Sequence, residues 1–184
     1  MARIHHPRPT SWVALTGFMG VGKTRIGREL AQELMLHFVD LDRYIERQTG
    51  LSVADIFRYI GEESFREMEA EAVRELIQRD NLVLSLGGGT YTNPENRQLL
   101  LERGPVIALW ASPETVHTRV LRKPGQRPLL ATGDALEKIR RLMAEREAIY
   151  NEAHIHASTD GRPAREVVKE LIEKLWMRAG NGNA

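Results

Sequence analysis

Gly17-Phe18-Met19-Gly20-Val21-Gly22-Lys23-Thr24 fits the phosphate-binding loop pattern GxxxxGKT. The loop follows the apolar run Trp12-Val13-Ala14-Leu15, which is typical of a strand, and it precedes a segment whose apolar residues recur at helical spacing. Its three glycines allow the backbone to curl around a polyphosphate, so that N–H groups and a helix N-terminus point at the anion. The strand, loop and helix together predict a site for a nucleoside triphosphate.

Two side chains at the end of this loop have separate predicted roles. Lys23 would place a positive charge between the β- and γ-phosphates, and Thr24 would offer a hydroxyl ligand to Mg²⁺. A glycine-rich turn could match the four fixed positions by accident, with a probability of about one in a hundred for a chain of this length. The context of strand, loop and helix favours the functional interpretation.

The length and composition indicate one α/β domain. A chain of 184 residues can fill one core but is short for two, and a net charge of +1 provides no global field that would attract nucleic acid. The absence of cysteine excludes disulfides, thiolate catalysis and cysteine zinc sites. No apolar run approaches the length of a membrane span, and residues 1–9 do not resemble a signal peptide. We therefore expect a soluble, cytoplasmic monomer with no membrane or nucleic-acid partner.

Apolar runs alternate with segments of helical period, as in a parallel sheet covered by helices. The runs lie at 12–16, 37–41, 82–86, 105–110 and, more weakly, 154–158, and helices are predicted at 23–35, 52–59, 62–79, 94–102, 113–121, 134–150 and 164–177. The pattern predicts a doubly wound three-layer α/β/α sandwich with a five-stranded parallel sheet. Residues 11–178 would form its single domain, with disordered tails at 1–10 and 179–184.

The stretch Arg122-Lys123-Pro124-Gly125-Gln126-Arg127-Pro128 combines two prolines and a glycine with three positive charges. Such a composition predicts a mobile basic loop. In a chain that also carries a phosphate loop, it is a candidate lid over the nucleotide, covering about 119–132. The alternative is an ordinary solvated loop.

Asp40-Leu41-Asp42 comes after the second apolar run, and ligands of doubly wound sheets lie at the carboxyl ends of strands. One acid could take part in holding magnesium, and the other could accept a proton from a hydroxyl. The alternative is a structural role, with Asp42 capping the helix that follows.

Three consecutive glycines follow the third apolar run, in Ser85-Leu86-Gly87-Gly88-Gly89-Thr90. They remove side chains where a small ligand could approach the backbone. Many phosphate-loop proteins place a magnesium-orienting aspartate near this point, and this sequence has none there. The absence argues against a typical GTPase or motor ATPase, and it favours Asp40 as the outer-sphere partner of magnesium.

The arrangement as a whole resembles shikimate kinase from about Val13 to Leu175. Besides the phosphate loop and Asp40-Leu-Asp42, the matching pieces are Ser52-Val-Ala-Asp-Ile-Phe57, Gly61-Glu62 with Phe65-Arg66 and Glu69, Leu86-Gly-Gly-Gly89, Arg127-Pro-Leu-Leu130 and Arg146-Glu-Ala-Ile-Tyr150. The resemblance implies a P-loop NTPase fold of the nucleoside monophosphate kinase type. It also implies an enzyme of the route to chorismate and the aromatic amino acids, which moves the γ-phosphoryl group of ATP to the 3-hydroxyl of shikimate.

Carried over residue by residue, the resemblance implies three sets of site residues. The nucleotide would be held by Gly20, Val21, Gly22, Lys23, Thr24 and Arg25. Mg²⁺ would be held by Thr24 and Asp40. Shikimate would be bound by Asp42, Gly88, Gly89, Arg66 and Arg146, with Asp42 as the base and the two arginines on the carboxylate. Lys23 and Arg127 would act on the transferring phosphate, the latter from the lid.

Further assignments differ in how well the pattern fixes them. Either Arg119 or Arg122 would stack on adenine, and Arg162 would make another nucleotide contact near the fifth strand. His154 and His156 have the spacing of metal ligands on a strand, but no third ligand is evident nearby, so a core or surface role is favoured.

Two other functions remain open at this point. The first is another small-molecule phosphate-loop kinase, of the gluconate or nucleoside monophosphate type, although Arg127-Pro-Leu-Leu and Phe65-Arg66 favour shikimate. The second is a non-catalytic nucleotide-binding regulator. A base such as Asp42 and a lid arginine argue against it, since a binding module needs neither.

Overall fold

Within residues 8–121 and 134–181, which the computed structural model describes, five strands form one parallel sheet. The strands are β1 (Trp12–Thr16), β2 (His37–Asp40), β3 (Leu82–Ser85), β4 (Val106–Trp110) and β5 (Ile155–Ser158), in the spatial order β2-β3-β1-β4-β5. Every residue of β1 and β3 is buried, as expected for strands covered by helices on both faces.

Eight α-helices and one short 3₁₀ helix are present in the same described ranges. They are α1 (Lys23–Glu33), α2 (Leu41–Thr49), α3 (Val53–Tyr59), α4 (Glu62–Leu76), the 3₁₀ helix Thr90–Thr92, α5 (Pro94–Arg103), α6 (Pro113–Leu121), α7 (Ala135–Tyr150) and α8 (Ala164–Asn181). The predicted α/β class with a five-stranded parallel sheet is confirmed.

Helix α2 was not among the helices predicted from the pattern. It begins directly after β2, and its N-cap is Asp40, whose carboxylate accepts a hydrogen bond from Arg43 N at 3.4 Å. Asp42 therefore lies in the first turn and does not provide the cap. The helix is only nine residues long, so its apolar spacing is too short to separate it from the end of the strand.

Described structure continues into the inner ends of both predicted tails. Helix α8 continues to Asn181, because Met177, Arg178 and Ala179 are good helix formers with no proline to stop them. At the other end, Thr10 Oγ1 accepts a hydrogen bond from Trp12 N at 3.1 Å and donates one to Trp12 O at 2.8 Å. These bonds tie the chain down before β1 begins.

The buried apolar residues of the described ranges form one cluster, as a single domain would require. Strand register then decides where the loops leave the sheet. Ser85 is the partner of Leu15 on one side and of Asp40 on the other. The chain after β1, β2 and β3 therefore emerges at one level, on the carboxyl edge. No helix in residues 8–121 and 134–181 has the length and apolar character needed to cross a bilayer.

The helix that follows the phosphate loop packs closely on the sheet through Gly27. A Cβ added at this position would lie 2.5 Å from Phe38 Cε2 and 2.9 Å from Leu15 Cδ1. Both distances are shorter than a van der Waals contact, so the helix can approach the strands only with a glycine there.

Gly27→Ala should therefore lower the free energy of unfolding by about 1–3 kcal/mol, because the methyl group overpacks the core. Gly180→Ala is the matched control: it also lies in a helix, but its added Cβ would meet nothing within 4 Å. Urea denaturation of both variants measures the difference. Equal unfolding free energies would show that the helix can move away from the sheet at no cost.

Candidate active site

The phosphate loop has the backbone that its glycines predict. Gly17, Gly20 and Gly22 have φ angles of 130°, 80° and 106°, in the region that side-chain-bearing residues rarely adopt. Gly22 is the N-cap of α1 and contributes no side-chain cap, and the first turn holds no acidic residue. The first N–H groups of the helix, at its positive end, are thus left to an anion.

Lys23 lies over the same loop. Its ammonium donates to Gly17 O at 2.7 Å and to Phe18 O at 3.0 Å, so its charge is held at the entrance of the loop. This charge also acts on Asp42, whose pKa it lowers against the larger effects that raise it. The loop and the acid after β2 therefore belong to one electrostatic site.

Thr24 and Asp40 are brought together as predicted for a metal site. Thr24 Oγ1 donates to Asp40 Oδ2 at 2.8 Å. Mg²⁺ prefers oxygen ligands and is usually bound through few protein groups together with phosphates and waters. A hydroxyl with a carboxylate behind it fits that preference. Nowhere in residues 8–121 or 134–181 do three or more His, Cys, Asp or Glu side chains cluster as a dedicated metal site.

Asp42 is partly buried in the first turn of α2. Burial, together with the neighbouring charges of Asp40 and Glu69, raises its pKa to about 6 against the opposing effect of Lys23. A carboxyl group with this pKa is largely ionised at pH 7, and it accepts a proton more readily than an ordinary aspartate.

The glycine turn after β3 brings Asp42 close to Glu69. A Cβ at Gly87 would lie 2.7 Å from Asp42 Oδ1, 2.7 Å from Glu69 Oε1 and 2.9 Å from Thr90 Oγ1. Glu69 is only 1% exposed, and it accepts hydrogen bonds from Thr90 Oγ1 and from Arg66 Nη1. The two acids thus lie on either side of a backbone position that has no room for a side chain.

Arg66, on α4, lies against the last glycine of this turn. Its Nη2 donates to Glu62 Oε1 at 3.0 Å, and its guanidinium carbon lies 5.9 Å from the ring centroid of Phe57 and 5.6 Å from that of Phe65. A Cβ at Gly89 would lie 2.5 Å from Arg66 Nη1. The guanidinium is therefore held by carboxylates and aromatic rings at the edge of the glycine turn.

Arg146, near the end of α7, approaches the middle glycine. Its Nη1 donates to Gly88 O at 2.8 Å, and its guanidinium carbon lies 5.6 Å from the ring centroid of Phe18. Tyr150 OH donates to the same carbonyl at 3.0 Å. A Cβ at Gly88 would lie 4.0 Å from Met19 N in the phosphate loop. Helix α7, the glycine turn and the phosphate loop therefore meet here.

Two further residues predicted to bind nucleotide pair with carboxylates of the chain. Arg25 is exposed and pairs with Glu29 on its own helix at 3.2 Å. Arg162, predicted to contact the nucleotide near the fifth strand, donates to Ser158 O at 3.2 Å and to Glu170 Oε2 at 2.5 Å, just beyond the end of β5. Their roles in binding nucleotide stay predictions.

Arg119, on α6, donates hydrogen bonds to carbonyl groups of the phosphate loop. It donates to Gly20 O at 3.3 Å, to Val21 O at 3.2 Å, and to both the hydroxyl and the carbonyl of Thr159. Its guanidinium holds these backbone carbonyls in place. Such hydrogen bonds lie in the plane of the guanidinium and leave its faces open, so the stacking of Arg119 on adenine stays a prediction.

Most of the predicted lid, about 119–132, lies outside the described residues. Helix α6 includes its first three positions, up to Leu121. Arg122 and Arg127 are beyond the described ranges, so the lid and their roles stay predictions.

The two histidines of the fifth strand region have structural partners. His154 Nδ1 accepts a hydrogen bond from Val106 N at 3.1 Å, and His156 Nδ1 accepts one from Trp110 Nε1 at 3.3 Å. Each of them joins β4 to the segment that carries β5, which agrees with the favoured core role.

Sequence reasoning assigned no role to several residues that shape the site, namely Glu69, Gly87, Thr90, Tyr150 and Thr159. Glu69 and Tyr150 follow Arg66 and Arg146 by three and four residues, which places each pair on one helix face, so the spacing carried a signal. Thr159 gave none, because its contacts with Val21 O and Trp110 O join segments far apart in sequence.

The raised pKa of Asp42 leads to a prediction about stability. A carboxyl group whose pKa rises from 3.8 to about 6 on folding contributes most below pH 4, and its contribution is lost as the pH rises through 6. Asp42→Asn should therefore raise the free energy of unfolding by about 2 kcal/mol at pH 8 and change it little at pH 4. Chemical denaturation at both pH values checks this. An equal difference at the two would show that Asp42 has an ordinary pKa.

Comparisons with known proteins identify the family of the chain. A shikimate kinase family model matches residues 19–176. The shikimate kinase of Thermus thermophilus is 65% identical over 179 residues, which are 97% of each chain, and that of Deinococcus radiodurans is 53% identical over 92% of this chain and 85% of its own.

Solved structures give the same result. The shikimate kinase of Acinetobacter baumannii in complex with shikimate is similar with a TM-score of 0.87 and 36% identity, covering 92% of this chain and 94% of its own. A gluconokinase from Sinorhizobium meliloti, with a TM-score of 0.61 at 17% identity, covers 95% and 97% of the two chains and shares the fold alone. From the matching family model and these relatives, the chain belongs to the shikimate kinase family.

Proposed function

We propose that this chain transfers the γ-phosphoryl group of ATP to the 3-hydroxyl of shikimate, giving ADP and shikimate 3-phosphate for aromatic amino-acid synthesis. One observation carries the proposal. Three consecutive glycines, Gly87 to Gly89, are approached in turn by Asp42, Arg146 and Arg66, directly beside the phosphate loop. An acid and two arginines around bare backbone fit a small polyhydroxylated carboxylate.

On the nucleotide side, the N–H groups from Gly20 to Thr24 and the ammonium of Lys23 would hold the phosphates. Thr24, with Asp40 behind it, would hold Mg²⁺, which neutralises charge on the phosphates when bound. The loop carbonyls that now accept from Lys23 would give up its ammonium to a phosphate, since a charge-assisted bond to an anion is the stronger one.

On the acceptor side, Asp42 would bind the reacting hydroxyl and take its proton. Arg66 and Arg146 would grip the carboxylate, because the planar guanidinium matches its two oxygens. For Arg127, outside the described residues, the resemblance alone supports a role on the transferring phosphate.

All of these described side chains come from one chain, which supports a monomeric enzyme. We further propose that it works in the cytoplasm, where ATP is available, and that the two small molecules are its only partners. The small net charge of +1 offers no basis for binding nucleic acid.

A coupled assay of ADP release in the presence of Mg²⁺ and ATP tests the proposal. The acceptors are shikimate, gluconate and a set of nucleoside monophosphates, with a reaction that contains none of them. Turnover only with shikimate is the expected result. Turnover with gluconate or a nucleotide would overturn the choice of acceptor, and ATP binding without any turnover would indicate a regulator.

Asp42→Asn should lower kcat for shikimate by about 10²- to 10⁴-fold and leave ATP binding nearly intact, because only proton acceptance and orientation of the hydroxyl are lost. In the wild-type enzyme, kcat/KM for shikimate should fall as the pH drops below about 6, where Asp42 becomes protonated. Steady-state kinetics from pH 5 to 9 measure both. A flat profile together with near-normal turnover of the variant would remove Asp42 from the mechanism.

Arg146→Ala should raise KM for shikimate at least tenfold and change KM for ATP by less than twofold, as expected if the guanidinium binds the carboxylate. Arg141→Ala is the matched control, because Arg141 is an exposed arginine of the same helix that pairs with Glu145. It should leave both constants unchanged. An equal rise in both for Arg146→Ala would instead assign Arg146 to the nucleotide side or to the fold.

A further inference from the structure

Tyr150 is a buried tyrosine whose hydroxyl reaches the glycine turn. We propose that it is a positioning residue: by holding the Gly88 carbonyl, it sets the orientation in which Arg146 meets the substrate carboxylate. The inference rests on the proposed function for the role of Arg146. Its basis is that Tyr150 OH and Arg146 Nη1 donate to the same oxygen, at 3.0 and 2.8 Å.

The ring of Tyr150 has little freedom to move. It is 1% exposed, Trp110 packs edge-on against it with centroids 5.8 Å apart, and Tyr91 stacks on it at 6.4 Å. A ring fixed on two sides places its hydroxyl at a defined point. Burial also raises the pKa of the hydroxyl, while the charge of Arg146 lowers it in part, so the group stays protonated and able to donate.

The Gly88 carbonyl depends on hydrogen-bond donors such as the Tyr150 hydroxyl for its orientation. Gly88 has no Cβ, and glycine is the residue with the greatest backbone freedom, so the direction of its C=O depends on its hydrogen bonds. A carbonyl oxygen has two lone pairs, and Tyr150 and Arg146 together can fill both. Without the hydroxyl, Arg146 alone would have to orient the peptide group.

Arg146 and Tyr150 are four residues apart on α7, so their side chains lie on the same helix face. With Nη1 directed at a fixed carbonyl, the rest of the guanidinium fork is presented in one orientation, and its remaining N–H groups can bind a carboxylate in a bidentate manner. A carbonyl free to rotate would let that fork tilt. The loss would appear as weaker binding of the carboxylate substrate.

Tyr150→Phe keeps the ring and removes only the hydroxyl. It should raise KM for shikimate by about five- to tenfold and change KM for ATP by less than twofold. In an Arg146→Ala background the same change should add less than twofold, because the group that Tyr150 positions is already gone. A merely structural role would give the same effect in both backgrounds.

Tyr91→Phe provides the matched control. Tyr91 is also fully buried and stacks on Tyr150, but its hydroxyl makes no hydrogen bond within the part of the chain that the structure describes. Its removal should leave KM for shikimate within twofold of the wild-type value. Urea denaturation of both variants shows that each is folded.

A second measurement needs no substrate. The ¹⁵N resonance of the Gly89 amide reports on hydrogen bonds to the Gly88 carbonyl, because both belong to one peptide group. It should shift in Tyr150→Phe and stay in place in Tyr91→Phe.

The possible outcomes separate the two claims. If Tyr150→Phe matches Tyr91→Phe in both KM and the Gly89 resonance, the inference is overturned, while shikimate-dependent turnover by the wild-type protein still supports the proposed function. If the resonance shifts but the wild-type protein does not phosphorylate shikimate, the contact with Gly88 stands and the proposed function fails together with the role given to Arg146. A shift with an unchanged KM would overturn the positioning role alone.

Discussion

The close approach of other groups to the turn after β3 is the constraint on which the site depends. At Gly87 and Gly89, a single added carbon would collide with Asp42, Glu69 or Arg66, and Gly88 accepts from Arg146 with its carbonyl. Side chains from three helices can therefore converge on a strip of backbone next to the phosphate loop. A side chain at Gly87 or Gly89 would push the carboxylates or the Arg66 guanidinium away from this strip.

This convergence places two negatively charged groups close together, and nearby hydrogen-bond donors reduce the resulting repulsion. Asp42 and Glu69 are two acids at close quarters, and burial of Asp42 makes its ionised form less favourable. The buried carboxylate of Glu69 is stabilised by hydrogen bonds from Arg66 and from the hydroxyl of Thr90. The repulsion between the two acids therefore acts mainly on Asp42, whose pKa it helps to raise. Asp42 is also the acid proposed as the base for phosphoryl transfer. Under the proposed function, the stability lost by ionising Asp42 is the cost of having a reactive carboxylate there.

Much of this could be predicted from the sequence, because the motifs are local. The phosphate loop, the strands and the Asp40-Leu-Asp42 pair can be recognised from short windows, whereas the strand order came only from the structure. Helix α2 was missed because nine residues carry too little periodicity. The hydrogen bonds between Arg119 and Thr159 could not be predicted, because the two residues are 40 positions apart. One of the acceptors is a backbone carbonyl, which every residue has, so no residue type marks the contact in the sequence. The spacing of Glu69 from Arg66 indicated a pair on one helix face, but its contacts with Thr90 and the Gly87 position could be seen only in the structure.

Arg119 has a mechanical consequence for the chain beyond it. The residue lies in the last turn of α6, and its guanidinium ties that turn both to the phosphate loop, through Gly20 and Val21, and to the end of β5, through Thr159. The backbone that continues past Leu121 therefore starts from a point whose distance to the phosphate loop is fixed. Insertions or deletions between Leu121 and α7 would leave this attachment in place, because its hydrogen bonds join only α6, the phosphate loop and the end of β5.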